Sequence, residues 1–170
     1  MEQHFVSFYI DQQLYSIDIR VVNDVNRHFI LVPVPRAEPA LRGLVNIRGQ
    51  VVLVFDLAVM FGDQPRPITS DSHLIVFKTD QALTRVPHLD PSIDPLRFGD
   101  KPYALLVDQI GDVISAASED IEPPDQYVDH RNFQHFRGLV KVDERIMTIL
   151  DPMILFVYQS ESQGGGGYAQ

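Results

Sequence analysis

Cysteine and tryptophan are absent from the 170 residues. The lack of thiols excludes disulfides, thiolate nucleophiles and cysteine zinc sites, and it fits a reducing cytosol. Long apolar runs are missing too. No stretch approaches the ~20 residues that cross a bilayer as a helix. The start, MEQHFVSFYIDQQLYSID, has no basic segment followed by a long apolar one, so a signal peptide is not expected. Positive charge is scarce: 14 Lys and Arg against 23 Asp and Glu leave a net charge of −9. Such a field repels phosphate backbones and argues against a nucleic-acid binder. Nucleotide and hydrolase signatures are also lacking, with no Walker-type Gly-Lys-Ser/Thr, G-x-G-x-x-G, G-x-S-x-G or H-E-x-x-H. The six histidines are scattered. His130 and His135, near Asp129, read as part of a solvated loop, well short of four converging ligands. No catalytic residue, metal or cofactor is therefore expected.

What is present is an ordinary globular composition, 45% hydrophobic and 22% charged. The length suits one compact domain or two small, intimately joined ones, with a core large enough to need no staple. Short runs rich in Val, Ile and Phe, bounded by Gly, Pro, Asp or Asn, predict strands at 5–10, 30–34, 44–47, 51–55, 74–77 and 104–107. Asp11-Gln12-Gln13 and Gly49-Gln50 predict hairpins. Helical pattern is sparse. Residues 18–25 predict two turns opened by an Asp cap, and 56–61 and 151–156 predict short helices that each begin with Asp. The fold class expected is mainly all-β.

The chain repeats itself. Residues 42–57, RGLVNIRGQVVLVFDL, align with 137–152, RGLVKVDERIMTILDP. Residues 15–25 align with 103–113, and 4–8 with 73–77, in the same order. Three ordered matches imply a duplication, with units of roughly 4–62 and 73–156. Phe8 to Tyr15 spans seven positions but Phe77 to Tyr103 spans 26, so nineteen extra residues sit in the second unit's first hairpin. This proline-rich insertion, 79–101, is read as a loop. The tail, 159–170, is Gly/Ser/Gln-rich and is read as flexible. Asp56 and Asp151 are repeat mates at cap positions. Asp24 closes the predicted 18–25 helix, where the helix dipole offers an acid nothing, so a basic partner is expected.

The run 40–62, ALRGLVNIRGQVVLVFDLAVMFG, resembles the signature of CheW-type chemotaxis coupling proteins, I-x-G-V-I-N-L-R-G followed by an apolar strand, D-L and a Gly-ended helix. The similarity runs through YSIDIRVVNDV, YALLVDQIGDVISAASEDIEPPD and FRGLVKVDERIMTILDPMILF, so a CheW-like domain over 4–158 is expected. The same domain also ends CheA-type histidine kinases. The resemblance implies two SH3-like β-barrel subdomains and no enzymatic activity. It further implies a cytoplasmic adaptor, recruited to membrane-associated arrays, that couples chemoreceptor tips to a CheA-type kinase and can join rings with the kinase's regulatory domain or other CheW-like proteins. The positions matching the family's receptor-binding groove are Ile19, Val22, Asp24, Arg42, Gly43, Arg48 and Val51. An Asp24–Arg48 pair across that groove is expected; the resemblance leaves the kinase-binding residues unknown. Departures include Asp24 in place of Glu, Leu53 in place of Pro, and the insertion. They point to a divergent adaptor in an array controlling something other than flagellar swimming. Two other readings stay open: a kinase-binding scaffold without receptor binding, and a small-ligand-binding or enzymatic duplicated barrel.

Overall fold

The computed structural model describes residues 1–89, 100–124 and 135–154. In chain order these form β1 (Glu2–Ile10), β2 (Gln13–Asp18), a 3-10 turn (Ile19–Val21), β3 (Val22–Asn26), β4 (Leu41–Ile47), β5 (Gln50–Asp56) and α1 (Leu57–Met60). There follow β6 (His73–Phe77), α2 (Asp80–Leu83), β7 (Tyr103–Val107), β8 (Gln109–Ala117), a 3-10 turn (Ser118–Asp120), β9 (Phe136–Val142) and β10 (Arg145–Leu150). The fold is all-β, in two five-stranded sheets ordered β8-β1-β2-β10-β9 and β3-β6-β7-β5-β4.

The duplication is written into these orders. Advancing each strand of the first sheet by five places in the β1–β10 cycle turns its order into that of the second. The exchange is reciprocal: each sheet takes its first hairpin from one repeat and its remaining three strands from the other. The crossings occur at Ile19–Val21, between β2 and β3, and at Asp108, between β7 and β8. Each exchanged hairpin is inserted between host strands, parallel on one side, β2 with β10 and β7 with β5, and antiparallel on the other, β1 with β8 and β6 with β3.

The strand periodicity of two sorts side chains into three clusters. On β5, Val52 and Val54 point into the interior of the second sheet, together with Leu74, Leu106 and Ala104. Phe5, Leu14, Met147 and Ile149 fill the first sheet. The opposite faces meet in a larger shared cluster that includes Phe8, Ile17, Phe55, Phe77, Leu105 and Leu150. Tyr103–Val107 is therefore buried on both faces, which is why YALLV is a continuous apolar run without alternation. Each full burial of such a side chain contributes about 1.5–3 kcal/mol. The packing repeats in detail: Phe8 stacks on Tyr15 at 6.0 Å, and their mates Phe77 and Tyr103 stack at 4.8 Å.

Most predicted turns are found. Asp11 and Gln12 join β1 to β2 with φ of 54° and 70°, the sign pattern of a type I′ turn. Asp56 caps α1 through Ala58 N–H, and Asp151 accepts from Met153 N–H. Residues 155–156 of the second predicted helix, and the tail 159–170, lie outside the described residues, as does His130.

Four expectations need correction. His135, read as part of a solvated loop, is 4% exposed, and its backbone carbonyl accepts from Asp151 N–H. Residues 18–25 are not a two-turn helix. Asp18 does cap a turn, accepting from Arg20 N–H, but helical geometry stops at Val21 and Val22–Asn26 is a strand paired with β6. Val21, Val22 and Val25 are β-branched and meet the shared core, so tertiary pairing overrides the local helical pattern. Residues 30–34 make no full strand; Pro33 and Pro35 lack donors, and Val32 alone forms a bridge to Leu44. The described part of the insertion is more than a loop: it contains α2, whose Leu83 is buried in the shared core.

Candidate functional site

The Arg-Gly motif explains itself first, because the structure separates its two copies from the rest of the predicted site. In β4 the register slips between Leu41 and Gly43, which makes Arg42 a bulge residue. The bulge turns its guanidinium to Asp56, at 2.7 Å, and Asp56 is fully buried. Asp56 Oδ2 also accepts from Arg66 N–H at 2.9 Å, while Oδ1 caps α1. These donors satisfy both oxygens of the buried carboxylate. Gly43 lies directly under the Val32 bridge. A Cβ there would sit 2.5 Å from Val32 O, and φ is +152°. The second repeat does the same: the register slips between Phe136 and Gly138, and Glu122 bridges Leu139 across Gly138. Arg42 and Gly43 are therefore held in the barrel's own framework.

The other predicted residues lie elsewhere. Arg48 and Gly49 are the central pair of the β4–β5 turn, with φ of 53° and 84°. Asn46 Oδ1 accepts from Gly49 N–H and fixes that turn. From the tip, Arg48 Nη2 reaches Asp24 Oδ2 at 3.2 Å, joining the two edge strands of the second sheet. A bulge at Asn23 aims Asp24 at this point, and its Oδ1 accepts from Val25 N–H. Asp24 Oδ2 is buried from solvent and makes no well-aligned hydrogen bond, so the contact with the 81% exposed Arg48 is an ion pair by distance. Val51, just past the turn, is 61% exposed. Val22 is partly buried against the shared core. Ile19, 37% exposed, faces a groove of about 400 Å³ bordered by Gln3 and His4 on β1 and by Pro87–Leu89 of the insertion.

Sequence reasoning missed Arg66. Its side chain makes bonds of 3.0 and 2.9 Å to the Asp108 carboxylate and one of 3.2 Å to Asp11, while its backbone serves Asp56 and accepts from Arg42. The hydrogen bond to Asp108, followed by the nearby negative charges, raises its pKa above the ordinary arginine value. Asp108 is the residue at which the chain crosses between sheets, and it also accepts from Asp11 N–H. Arg66 thus ties the linker between repeats to both sheets. The signal was weak in the sequence, since Arg66 stands alone in a proline-bearing linker and its partners are distant along the chain.

Among the described residues, no group of three or more His, Asp or Glu side chains could hold a metal ion, and no helix is long and apolar enough to cross a membrane. The profile of the CheW-like domain matches residues 4–159. The chain belongs to the CheW-like family. Family membership places it among chemotaxis scaffold and coupling proteins. It is 24% identical to the chemotaxis protein CheW of Klebsiella aerogenes, over 88% of this chain and 78% of that one. It is 25% identical to the chemotaxis protein CheW of Thermotoga maritima, over 88% of this chain and 85% of that one. The fold matches the crystal structure of the scaffolding protein TtCheW from Thermoanaerobacter tengcongensis, with a TM-score of 0.71, 24% identity, and coverage of 91% and 92% of the two chains.

Proposed function

We propose that this CheW-like chain is a non-enzymatic adaptor that couples the cytoplasmic tip of a chemoreceptor to a CheA-type histidine kinase. The observation that carries the reading is the Asp24–Arg48 pair: an exposed arginine at the tip of a turn, 3.2 Å from a carboxylate on the opposite edge strand. Receptor contact would follow the chain from Ile19 through Val22 to Asp24, with an apolar helix ridge laid against Ile19 and the ion pair setting its orientation. The kinase's regulatory barrel would dock at an end face. Support for this comes from Ile146, the repeat mate of Val51, which is 62% exposed at the corresponding place in the other sheet. A non-flagellar array remains part of this proposal and rests on the sequence departures alone.

The test is a double-mutant cycle with Asp24→Asn and Arg48→Gln, read as the affinity for a receptor cytoplasmic fragment. Coupling of about 0.5 kcal/mol or more between the two supports a shared role in recognition. Strict additivity would remove it. Capture of the kinase regulatory domain by a chain that does not bind receptor fragments would instead favour a kinase-binding scaffold.

A further inference from the structure

We infer that the ordered stem of the insertion, residues 79–89, forms one wall of the partner groove at Ile19 and that Pro87 and His88 help to select which receptor helix fits there. The inference deepens the receptor-binding reading and rests on it. The stem is anchored from beneath. Leu83 is 1% exposed in the shared core, and Val86 and Leu89 pack against that core. Arg20, paired with Asp18, donates to the His88 carbonyl, and Lys78 Nζ donates to the Arg20 carbonyl. These contacts hold the stem at the crossing between β2 and β3.

The duplication gives this position a reference. Arg20 is the repeat mate of Asp108, and the insertion is the counterpart of the short Asp11-Gln12 turn. At Asp108 the turn comes close enough for Asp11 N–H to bond the carboxylate, and the surface beyond is polar. At Arg20 the longer segment instead raises Pro87 and His88 as an exposed lip, with Ile19 left accessible beside it. The charges at the groove floor largely cancel, because Asp18 and Arg20 neutralise each other on a chain that carries −9 overall. With Ile19 beside this mutually neutralised pair, Pro87 and Leu89 on the wall and Glu2 at the border, the groove suits an apolar ridge of a helix. Its width at the lip is set by residues 87 and 88.

The experiment uses the full chain and three receptor cytoplasmic fragments that differ along the apolar ridge of the tip. The lip variant is Pro87→Glu with His88→Asn. Asparagine tolerates the positive φ of 55° at residue 88, and Leu83, Val86 and Leu89 remain to hold the stem. Circular dichroism and a Tm within about 2 °C of the parent establish that the fold is kept. Unequal affinity losses, spread over about fivefold or more among the fragments, are the expected result. Equal losses, no losses, or uniformly tighter binding would overturn the inference; the last would mean that the stem covers the groove instead of shaping it. Ile19→Asp separates the two levels. A loss of about tenfold or more for every fragment, with the lip variant unaffected, leaves the receptor reading standing and removes the wall. Unchanged binding of the Ile19 variant to every fragment removes both.

Discussion

The β4–β5 and β9–β10 hairpins are repeat mates that share their framework and differ at their turns. Both carry Arg-Gly at a bulge, both pass under a crossing segment, and both end in an aspartate cap. Even the hydrogen bond into the cap is repeated, from Asp56 N–H to Ala40 O and from Asp151 N–H to His135 O. They part at the turn. Arg48-Gly49 reaches across to Asp24, whereas the mates of those three residues are Asp143, Glu144 and Asp112, acids that cannot form such a pair. Features shared by both copies are accounted for by backbone geometry and capping. The unshared feature is exposed, charged and unnecessary for closing the hairpin, which is the profile of a recognition element.

The comparison predicts unequal costs at equivalent positions. Asp56→Ala removes a fully buried carboxylate from Arg42, Arg66 and Ala58 N–H, and should lower unfolding free energy by about 3–5 kcal/mol. Asp151→Ala removes a partly exposed cap and should cost about 1 kcal/mol. Urea denaturation of the two variants measures the difference; equal costs would mean that the second aspartate is as deeply integrated as the first.

Gly43→Ala should cost about 2–3 kcal/mol, because the new Cβ meets backbone oxygen at 2.5 Å and the residue has a φ that L side chains avoid. Gly138→Ala should cost less, about 1–2 kcal/mol, since the nearest atom there is a side-chain methyl of Ile121, the backbone oxygen of Glu122 stands farther off at 3.1 Å, and φ is not in the left-handed range. Matched thermal melts would reveal whether the two crossings are as different as their geometry.

The mates Tyr15 and Tyr103 offer a comparison by pH. Burial, reinforced by a nearby aspartate, raises both phenol pKa values, and Tyr103 is the more deeply buried. A raised folded-state pKa means that the stabilising effect is complete below the unfolded value near 10 and is lost as pH climbs above it. For Tyr103 the loss should approach about 1.4 kcal/mol per pH unit above 10. Tyr103→Phe should therefore flatten the alkaline stability profile more than Tyr15→Phe does, as read from urea midpoints between pH 8 and 11. The smallest expected effect belongs to Arg48→Ala. Its ion pair is largely exposed, so the stability change should stay within about 1 kcal/mol by chemical denaturation; under the proposed function, affinity for a receptor fragment should fall.

Much of this was legible in the residues. The strands at 5–10, 51–55, 74–77 and 104–107, both Asp caps and the turn at Asp11-Gln12 follow from local rules of periodicity, capping and positive φ. Residues 18–25 were misread because Asp18 is a true cap, yet the valines that follow gain more from sheet pairing than a second helical turn would provide. α2 was not read because four residues carry too little periodicity to announce a helix; Leu83 is held there by the core. Of the predicted site, Asp24 and Arg48 were paired by their charges and meet in space. Arg42 and Gly43 share the family motif but are occupied with Asp56 and Val32.

The sequence by itself determined that the chain is duplicated, β-rich and free of thiol chemistry, because composition and repetition are properties of order along the chain. Only the tertiary structure decided that neither repeat builds a sheet alone. Each first hairpin leaves its own repeat and is inserted into the other, with a parallel pairing on one side, β2 on β10 and β7 on β5, and an antiparallel one on the other. The two arrangements would show the same alternation of apolar residues. The choice between them depends on which faces of Tyr103–Val107 can be covered at once: the shared core covers Tyr103, Leu105 and Val107, and the second sheet's own interior covers Ala104 and Leu106.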